Sequence, residues 1–237
     1  MSFMNNAPPR QRRPRLVRTE GLPNPTEYVL ALNGEYREFA FDEERARLQR
    51  GRWREAFGVS AEHAVDLEIG TGNGYFFAHR SSQHPERCLL GLEIKYKPLI
   101  QSIRRALRDG AKNARIMRYD AACLEDVLSA GEVNHVFIHH PDPWPKKRDW
   151  KHRLIQEDFL KRLHTLMQPG SFLDFKTDSA DYFDWCEPLF RDSDFEIERS
   201  TRDLHASPFA AENFITHFER LFLQQGVKIH HARLRRK

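Results

Sequence analysis

The stretch Ala64-Val65-Asp66-Leu67-Glu68-Ile69-Gly70-Thr71-Gly72-Asn73-Gly74-Tyr75-Phe76-Phe77 decides the fold of this 237-residue chain. The run to Ile69 predicts a buried strand, and the residues after Gly74 predict a helix start. Between them Gly70, Gly72 and Gly74 fall at alternate positions, where the backbone must turn sharply and a ligand can approach without meeting a Cβ. The spacing is G-x-G-x-G rather than the G-x-G-x-x-G of dinucleotide folds. A carboxylate two residues before the first glycine suits a cationic ligand better than a phosphate. The sulfonium and α-amino groups of S-adenosylmethionine are cations of this kind. Taken alone, the stretch also fits a plain strand-to-helix connector.

Outward from it the pattern alternates. Strands are predicted over 64–69, 88–93, 114–119, 134–139 and 171–176, with helices over 74–82, 96–109, 122–129, 154–167 and 179–191. Alternation of this kind implies right-handed crossovers and a Rossmann-like, doubly wound, mostly parallel sheet in a three-layer α/β/α arrangement. After residue 194 the order changes. Residues 195–199 and 214–223 read as two consecutive strands, giving an antiparallel C-terminal edge. Residues 34–57 are helix-prone, with Phe39, Leu48, Trp53 and Phe57 as anchors. The chain divides into a basic arm (1–25), one domain with an N-terminal helical extension (26–225) and a basic tail (226–237).

The net charge is +4, and its placement says more than its size. Five arginines (Arg10, Arg12, Arg13, Arg15, Arg18) precede the first acid, Glu20, and the end carries Lys228, Arg233, Arg235, Arg236 and Lys237. Basic ends on a nearly balanced body suit a polyanion, or are simply solvated tails. Cys88, Cys123 and Cys186 are odd in number and widely spaced, which supports neither a disulfide framework nor a zinc site. With no signal-peptide core and no apolar run of membrane length, a soluble cytoplasmic protein is expected. The pairs His139-His140 and His230-His231 point to opposite faces of a strand and are expected to be surface histidines, not metal ligands.

Ligands in such sheets sit beyond the carboxyl ends of the strands. Three acids fall there: Glu68 after the first strand, Glu93 placed for ribose hydroxyls, and Asp120 placed for an adenine edge. The next loop, His139 to Arg153, has Pro141, Pro143 and Pro145 around Asp142, and each proline fixes φ. A rigid carboxylate at the mouth of the site is preorganised charge. Lys146, Lys147, Arg148, Lys151 and Arg153 follow, interleaved with Trp144 and Trp150, which suits phosphate contact and base stacking.

On these pieces the chain resembles the bacterial tRNA (guanine-N7)-methyltransferases, a family of class I S-adenosylmethionine-dependent enzymes. The matching segments are Leu67 to Gly74, Gly91-Leu92-Glu93, Pro141-Asp142-Pro143-Trp144-Pro145-Lys146, Thr177-Asp178 and Thr216-His217-Phe218-Glu219-Arg220. The family usually has Lys where His217 stands. The resemblance implies methyl transfer from S-adenosylmethionine to N7 of a guanosine in the variable region of tRNA. It implies that Glu68, Gly70, Gly72, Gly74, Glu93, Asp120 and Asp142 hold the cofactor, Asp142 also being catalytic. Lys146, Asp178, Thr216, His217, Phe218 and Glu219 would hold the target nucleotide, and Arg148, Lys151 and Arg153 the RNA backbone. The expected partner is tRNA and not a membrane, the enzyme acting as a monomer or weak homodimer. Two other readings stay open: an amino-group methyltransferase, whose Asn/Asp-Pro-Pro-aromatic loop the Asp142-Pro143-Trp144 segment partly matches, and a non-catalytic RNA-binding relative.

Overall fold

The computed structural model describes Thr19 and residues 22–237. The arginines expected to form the N-terminal basic arm lie outside these residues. The chain begins with α1 (Thr26–Asn33), β1 (Ala40–Phe41), α2 (Glu43–Arg47) and α3 (Trp53–Phe57). It then alternates through β2 (Val65–Ile69), α4 (Tyr75–Gln83), β3 (Cys88–Leu92), α5 (Tyr96–Arg108) and β4 (Ala114–Met117). After β5 (Val136–His139) come α6 (Glu157–Leu166), β6 (Phe172–Thr177), α7 (Ala180–Arg191), β7 (Phe195–Thr201), α8 (His217–Gln224) and β8 (His230–Arg236).

One eight-stranded sheet runs in the order β1-β4-β3-β2-β5-β6-β8-β7. The first six strands are parallel, and β8 is antiparallel to both β6 and β7. The chain leaves β2 in one direction to β3 and β4, then returns to β2's other side with β5. That reversal makes the β2/β5 crevice the switch point where α/β sheets bind ligands. The two faces are covered separately. Phe77, Leu99, Ile103 and Ile116 form a core under α1, α4 and α5, while Leu67, Ile138, Leu163, Phe175 and Phe190 form the core under α6 and α7. Helix α5 shows the cause, burying Leu99, Ile100, Ile103 and Ala106 at helical spacing. No helix among the described residues is long and apolar enough to cross a membrane.

The fold class agrees with the sequence reading; four local expectations do not. Residues 122–129 do not form an α-helix: a 3-10 turn spans Ala121–Asp126. Leu48 is no anchor, being 71% exposed, whereas Phe39 and Trp53 are buried. The segment 214–223 is not a strand but enters α8, capped by Thr216, whose hydroxyl accepts from the Glu219 N–H at 3.2 Å. The antiparallel edge pairs β7 with β8 instead, so the expected C-terminal tail is a strand within the sheet. Three of its cations are paired across the sheet: Arg233 binds Asp174 at 2.7 Å, Arg235 pairs with Glu198, and Lys237 lies 3.6 Å from Glu196.

Gly74 caps α4 at φ +76°, and a Cβ placed there would lie 2.4 Å from the backbone Cα of Ser102. Gly110 has the same φ of +76° but open space around it. Gly74→Ala should therefore lose clearly more stability than Gly110→Ala, for which only the left-handed backbone cost of roughly 1–2 kcal/mol applies. Urea unfolding of the two variants side by side measures the difference.

Candidate functional site

The turn after β2 builds one half of the site. Gly70 and Gly72 have φ of +79° and +53°, and beyond their own chain neighbours no described atom stands within 4 Å of where their Cβ atoms would be. The Gly72 N–H donates to Glu93 Oε2 at 3.0 Å, and the Lys95 N–H donates to Oε1 at 2.9 Å, so Glu93 is locked to the glycine turn from the end of β3. Glu68 is only 3% exposed, and its Oε2 is buried without a hydrogen-bond partner among the described residues. Burial and then the neighbouring Glu93 push its carboxyl well above the usual carboxylate range, against the opposing pull of Lys176. An orphaned acid above an open glycine turn fits a ligand that brings positive charge, and the sulfonium and ammonium of S-adenosylmethionine do so. Asp120 follows β4 and is partly committed, since its Oδ1 accepts from the Ala122 N–H at 2.8 Å and starts the 3-10 turn.

The other half lies past β5 and β6. Asp178 Oδ1 is 3.1 Å from His140 Nδ1, and Glu219 Oε2 is 4.0 Å from His140 Nε2. Glu219 is fully buried. Its Oε2 accepts from Lys176 Nζ at 2.9 Å, and its Oε1 accepts from Asn213 Nδ2 at 2.6 Å and pairs with His205 Nε2 at 2.8 Å. Burial raises its pKa, but these partners overcome that and hold the carboxyl far below its usual range. Thr216 is buried as the cap of α8, while Phe218 faces outward. His217 opens the helix.

The proline loop places Asp142 in the open, beside a Trp144 backbone held at φ +45°. Lys146, Lys147, Arg148 and Lys151 are exposed, as a phosphate-binding surface requires. Arg153 is not, and its expected place on the RNA backbone is corrected: it is 2% exposed. Its guanidinium lies 4.6 Å from the Trp150 ring centroid, 5.0 Å from Tyr182 and 5.3 Å from Trp185, and its Nε donates to the Pro143 carbonyl at 2.8 Å. It pins the loop to α7 from beneath.

The histidine pairs are not on the surface. His140, His230 and His231 are substantially buried, and burial drives the His139 pKa down to about 3. His231 Nε2 and Asp174 Oδ2 are 3.1 Å apart, while His230 stacks on Phe183 on the opposite face. No group of three or more potential metal ligands is assembled among the described residues. Lys176 was not singled out by the sequence reading, and His140 was read there only as a surface histidine. Only a lysine inside an otherwise apolar strand, ahead of Thr177-Asp178, hinted at the first. A cavity of about 140 Å³ opens below this network, lined by Phe76, His139, Asp174, Lys176 and His231; Glu68, Glu93 and Asp142 do not line it.

Residues 62–232 match a family model described as a putative methyltransferase. A tRNA (guanine-N(7)-)-methyltransferase of Bdellovibrio bacteriovorus is 48% identical over 208 residues, covering 87% of this chain and 100% of that protein. One from Bacillus subtilis is 31% identical, covering 77% of this chain and 84% of the relative. Among solved structures, a SAM-dependent methyltransferase from Aquifex aeolicus superposes with a TM-score of 0.51 at 11% identity, over 91% of this chain and 100% of that one. The last likeness concerns the fold.

Glu68 yields a prediction whose sign is fixed. A folded-state carboxyl pKa above the ordinary value means that the cofactor-free protein loses stability as pH rises through it. A cationic ligand favours the ionised form, so binding of S-adenosylmethionine should release protons and tighten over the same interval. Glu68→Gln should raise the melting temperature of the cofactor-free protein at neutral pH and weaken cofactor binding roughly ten- to a hundredfold. Calorimetry in buffers of different ionisation enthalpy reads both the affinity and the proton release.

Proposed function

The chain belongs to the tRNA (guanine-N7)-methyltransferase family of S-adenosylmethionine-dependent enzymes, and we propose that it methylates N7 of a guanosine in the variable region of tRNA. The observation that carries this reading is the meeting of two acid groups on one rim of the sheet. Glu68 and Glu93 stand at the glycine turn, Asp178 and Glu219 stand beyond β6, and the buried Lys176 acts on both groups. The exposed cations belong to the loop that follows β5, the strand between β2 and β6.

Guanine N7 carries an in-plane lone pair and attacks without losing a proton, so the site needs no general base. Bound at the glycine turn, S-adenosylmethionine supplies an electrophilic methyl group. Glu68 would balance the donor's positive charge, Glu93 would accept from ribose hydroxyls, and Asp120 would meet the adenine edge. Asp178 is suited to accept from the N1–H and N2–H of guanine, because a carboxylate is acceptor-only. Asp142, held between prolines, would face the reacting centre, and its fixed charge would stabilise the cationic base as it forms. Orientation is the larger contribution, worth about 7–11 kcal/mol in favourable reactions. Lys146 would reach the target nucleotide, and Phe218, on the outer face of α8, offers a stacking surface once the base leaves its stack. Glu219 contributes from behind, since its carboxylate is buried. We place the enzyme in the cytoplasm, acting as a monomer or weak homodimer.

Incubation with unmodified tRNA and labelled S-adenosylmethionine, followed by nucleoside identification, should yield 7-methylguanosine; a methylated exocyclic amine would overturn the reading. Asp142→Asn should keep cofactor affinity while slowing transfer by roughly an order of magnitude or more.

The loop is tested by salt. Neutralising Lys146, Lys147, Arg148 and Lys151 should weaken tRNA binding and reduce the slope of log K against log salt by roughly 0.7–0.9 for each phosphate no longer neutralised. Arg153→Ala should instead lower thermal stability, because its guanidinium packs among rings.

A further inference from the structure

His140 occupies a position that joins the methyl-transfer loop to both substrate-side acids. Its backbone adopts φ +52°, a left-handed conformation uncommon for a residue with a side chain. Pro141 follows it, and the His140 N–H donates to the Lys176 carbonyl at 2.8 Å, extending the β5–β6 ladder by one step. This geometry turns the imidazole away from the loop and between Asp178 and Glu219. Nδ1 is 3.1 Å from Asp178 Oδ1, and Nε2 is buried without a hydrogen-bond partner among the described residues, 4.0 Å from Glu219 Oε2. The Phe222 ring of α8, 5.5 Å away, packs beside it.

Building on the reading of Asp178 and Glu219 as guanine-side acids, we propose that His140 is a positioning residue for the target base. Its charged imidazole holds the Asp178 carboxylate by one oxygen, leaves the other for the guanine pairing edge, and ties that edge to Glu219 and to the loop carrying Asp142.

The charges around it decide its protonation. Asp178 after β6 and Glu219 of α8 favour the imidazolium, while Lys176 of β6 opposes it, and the adjacent His139 faces it uncharged. His205 engages Glu219 from the segment after β7, and His230 of β8 acts on Asp178. Burial disfavours the charged ring, but the bond to Asp178 and the nearby Glu219 carboxylate outweigh it and leave His140 more basic than an ordinary histidine. Its neighbour His139 is neutral, so adjacent histidines take opposite states. A raised pKa keeps the imidazolium through neutral pH and loses it as pH rises further. Affinity for tRNA, and not for the donor, should fall on the alkaline side.

The test is steady-state kinetics on unmodified tRNA from about pH 6 to 9, with wild type, His140→Ala, His140→Gln and Asp178→Asn, cofactor affinity being measured calorimetrically for each. The proposal expects His140→Ala to raise KM for tRNA about tenfold, keep cofactor affinity and abolish the alkaline rise in KM. His140→Gln, whose amide can donate to Asp178 but cannot titrate, should recover part of KM and stay flat with pH. An alkaline rise that persists unchanged in the glutamine variant overturns the proposal, as does an unaltered KM in both variants. Should the alanine variant fail to fold, the imidazole proton resonance of wild-type His140, assigned by its loss in the glutamine variant, decides. Titration at or below the ordinary histidine value refutes the positioning role. If Asp178→Asn leaves KM unaltered, the assignment of Asp178 itself has failed. If Asp178→Asn raises KM while both His140 variants are silent, only the role of His140 has.

Discussion

Lys176 is the constraint on which the substrate side of the molecule rests. Its ammonium is 2% exposed, at the end of a strand in the middle of the sheet. Burying an ion costs several kcal/mol unless its protons are all taken up. Three oxygens surround it: Glu219 Oε2 at 2.9 Å, Asn213 Oδ1 at 2.9 Å and the Phe214 carbonyl at 3.4 Å. All three come from one segment, residues 213–219. The ion pair therefore docks α8 on the sheet with a directionality that apolar packing does not supply. It also carries positive charge toward Glu68, so the cofactor half and the substrate half share one cation.

The same logic explains why, among the described residues, no long helix covers this face of β6 and β8. Strand alternation puts Leu173, Phe175, Ala232 and Leu234 on the α7 side, within the apolar core, and Asp174, Lys176, His231 and Arg233 on the other. An apolar helix stripe laid on the second set would strand charges without partners. Short polar segments cover it instead and satisfy the charges one by one. Asp174 accepts from Arg233 and pairs with His231, and Glu212 reaches Arg199 at 2.8 Å. Burial would raise the Asp174 pKa, yet its partners hold it well below the usual range.

How much of this was legible in the sequence depended on whether the deciding interaction was local. The glycine turn, the parallel strands and the placing of Glu68 and Glu93 follow from periodicity and backbone freedom, which a single segment displays. The T-x-x-E pattern at Thr216–Glu219 was also local, and reads as a helix capping signal. It was hidden by the density of apolar residues from Phe214 to Leu223, which imitates a strand. Strand β8 was not legible, because the acids that pair with Arg233 and Arg235, Asp174 and Glu198, are distant in sequence. Arg153 and Lys151 look alike in a basic run. Only the cage of Trp150, Tyr182 and Trp185 separates the buried cation from the exposed one.

The two acids of β2 show that the orphaned carboxylate is not an accident of packing. Asp66 and Glu68 are two residues apart on one strand, so they project from the same face, and both are buried. Asp66 is saturated. Arg80 lies at 3.0 Å, Arg87 at 2.5 Å, and the His135 N–H donates at 3.1 Å. Burial alone would raise its pKa, but Arg87 and its neighbours bring it below the ordinary value. Glu68, among the described residues, has no arginine beside it, an unpartnered oxygen and a pKa displaced the other way. A fold able to place two guanidinium groups on one acid leaves the next acid bare at the strand's ligand-binding end. Stability is thus lowered at the position where a cationic ligand can restore it, the form that strain takes when it serves binding.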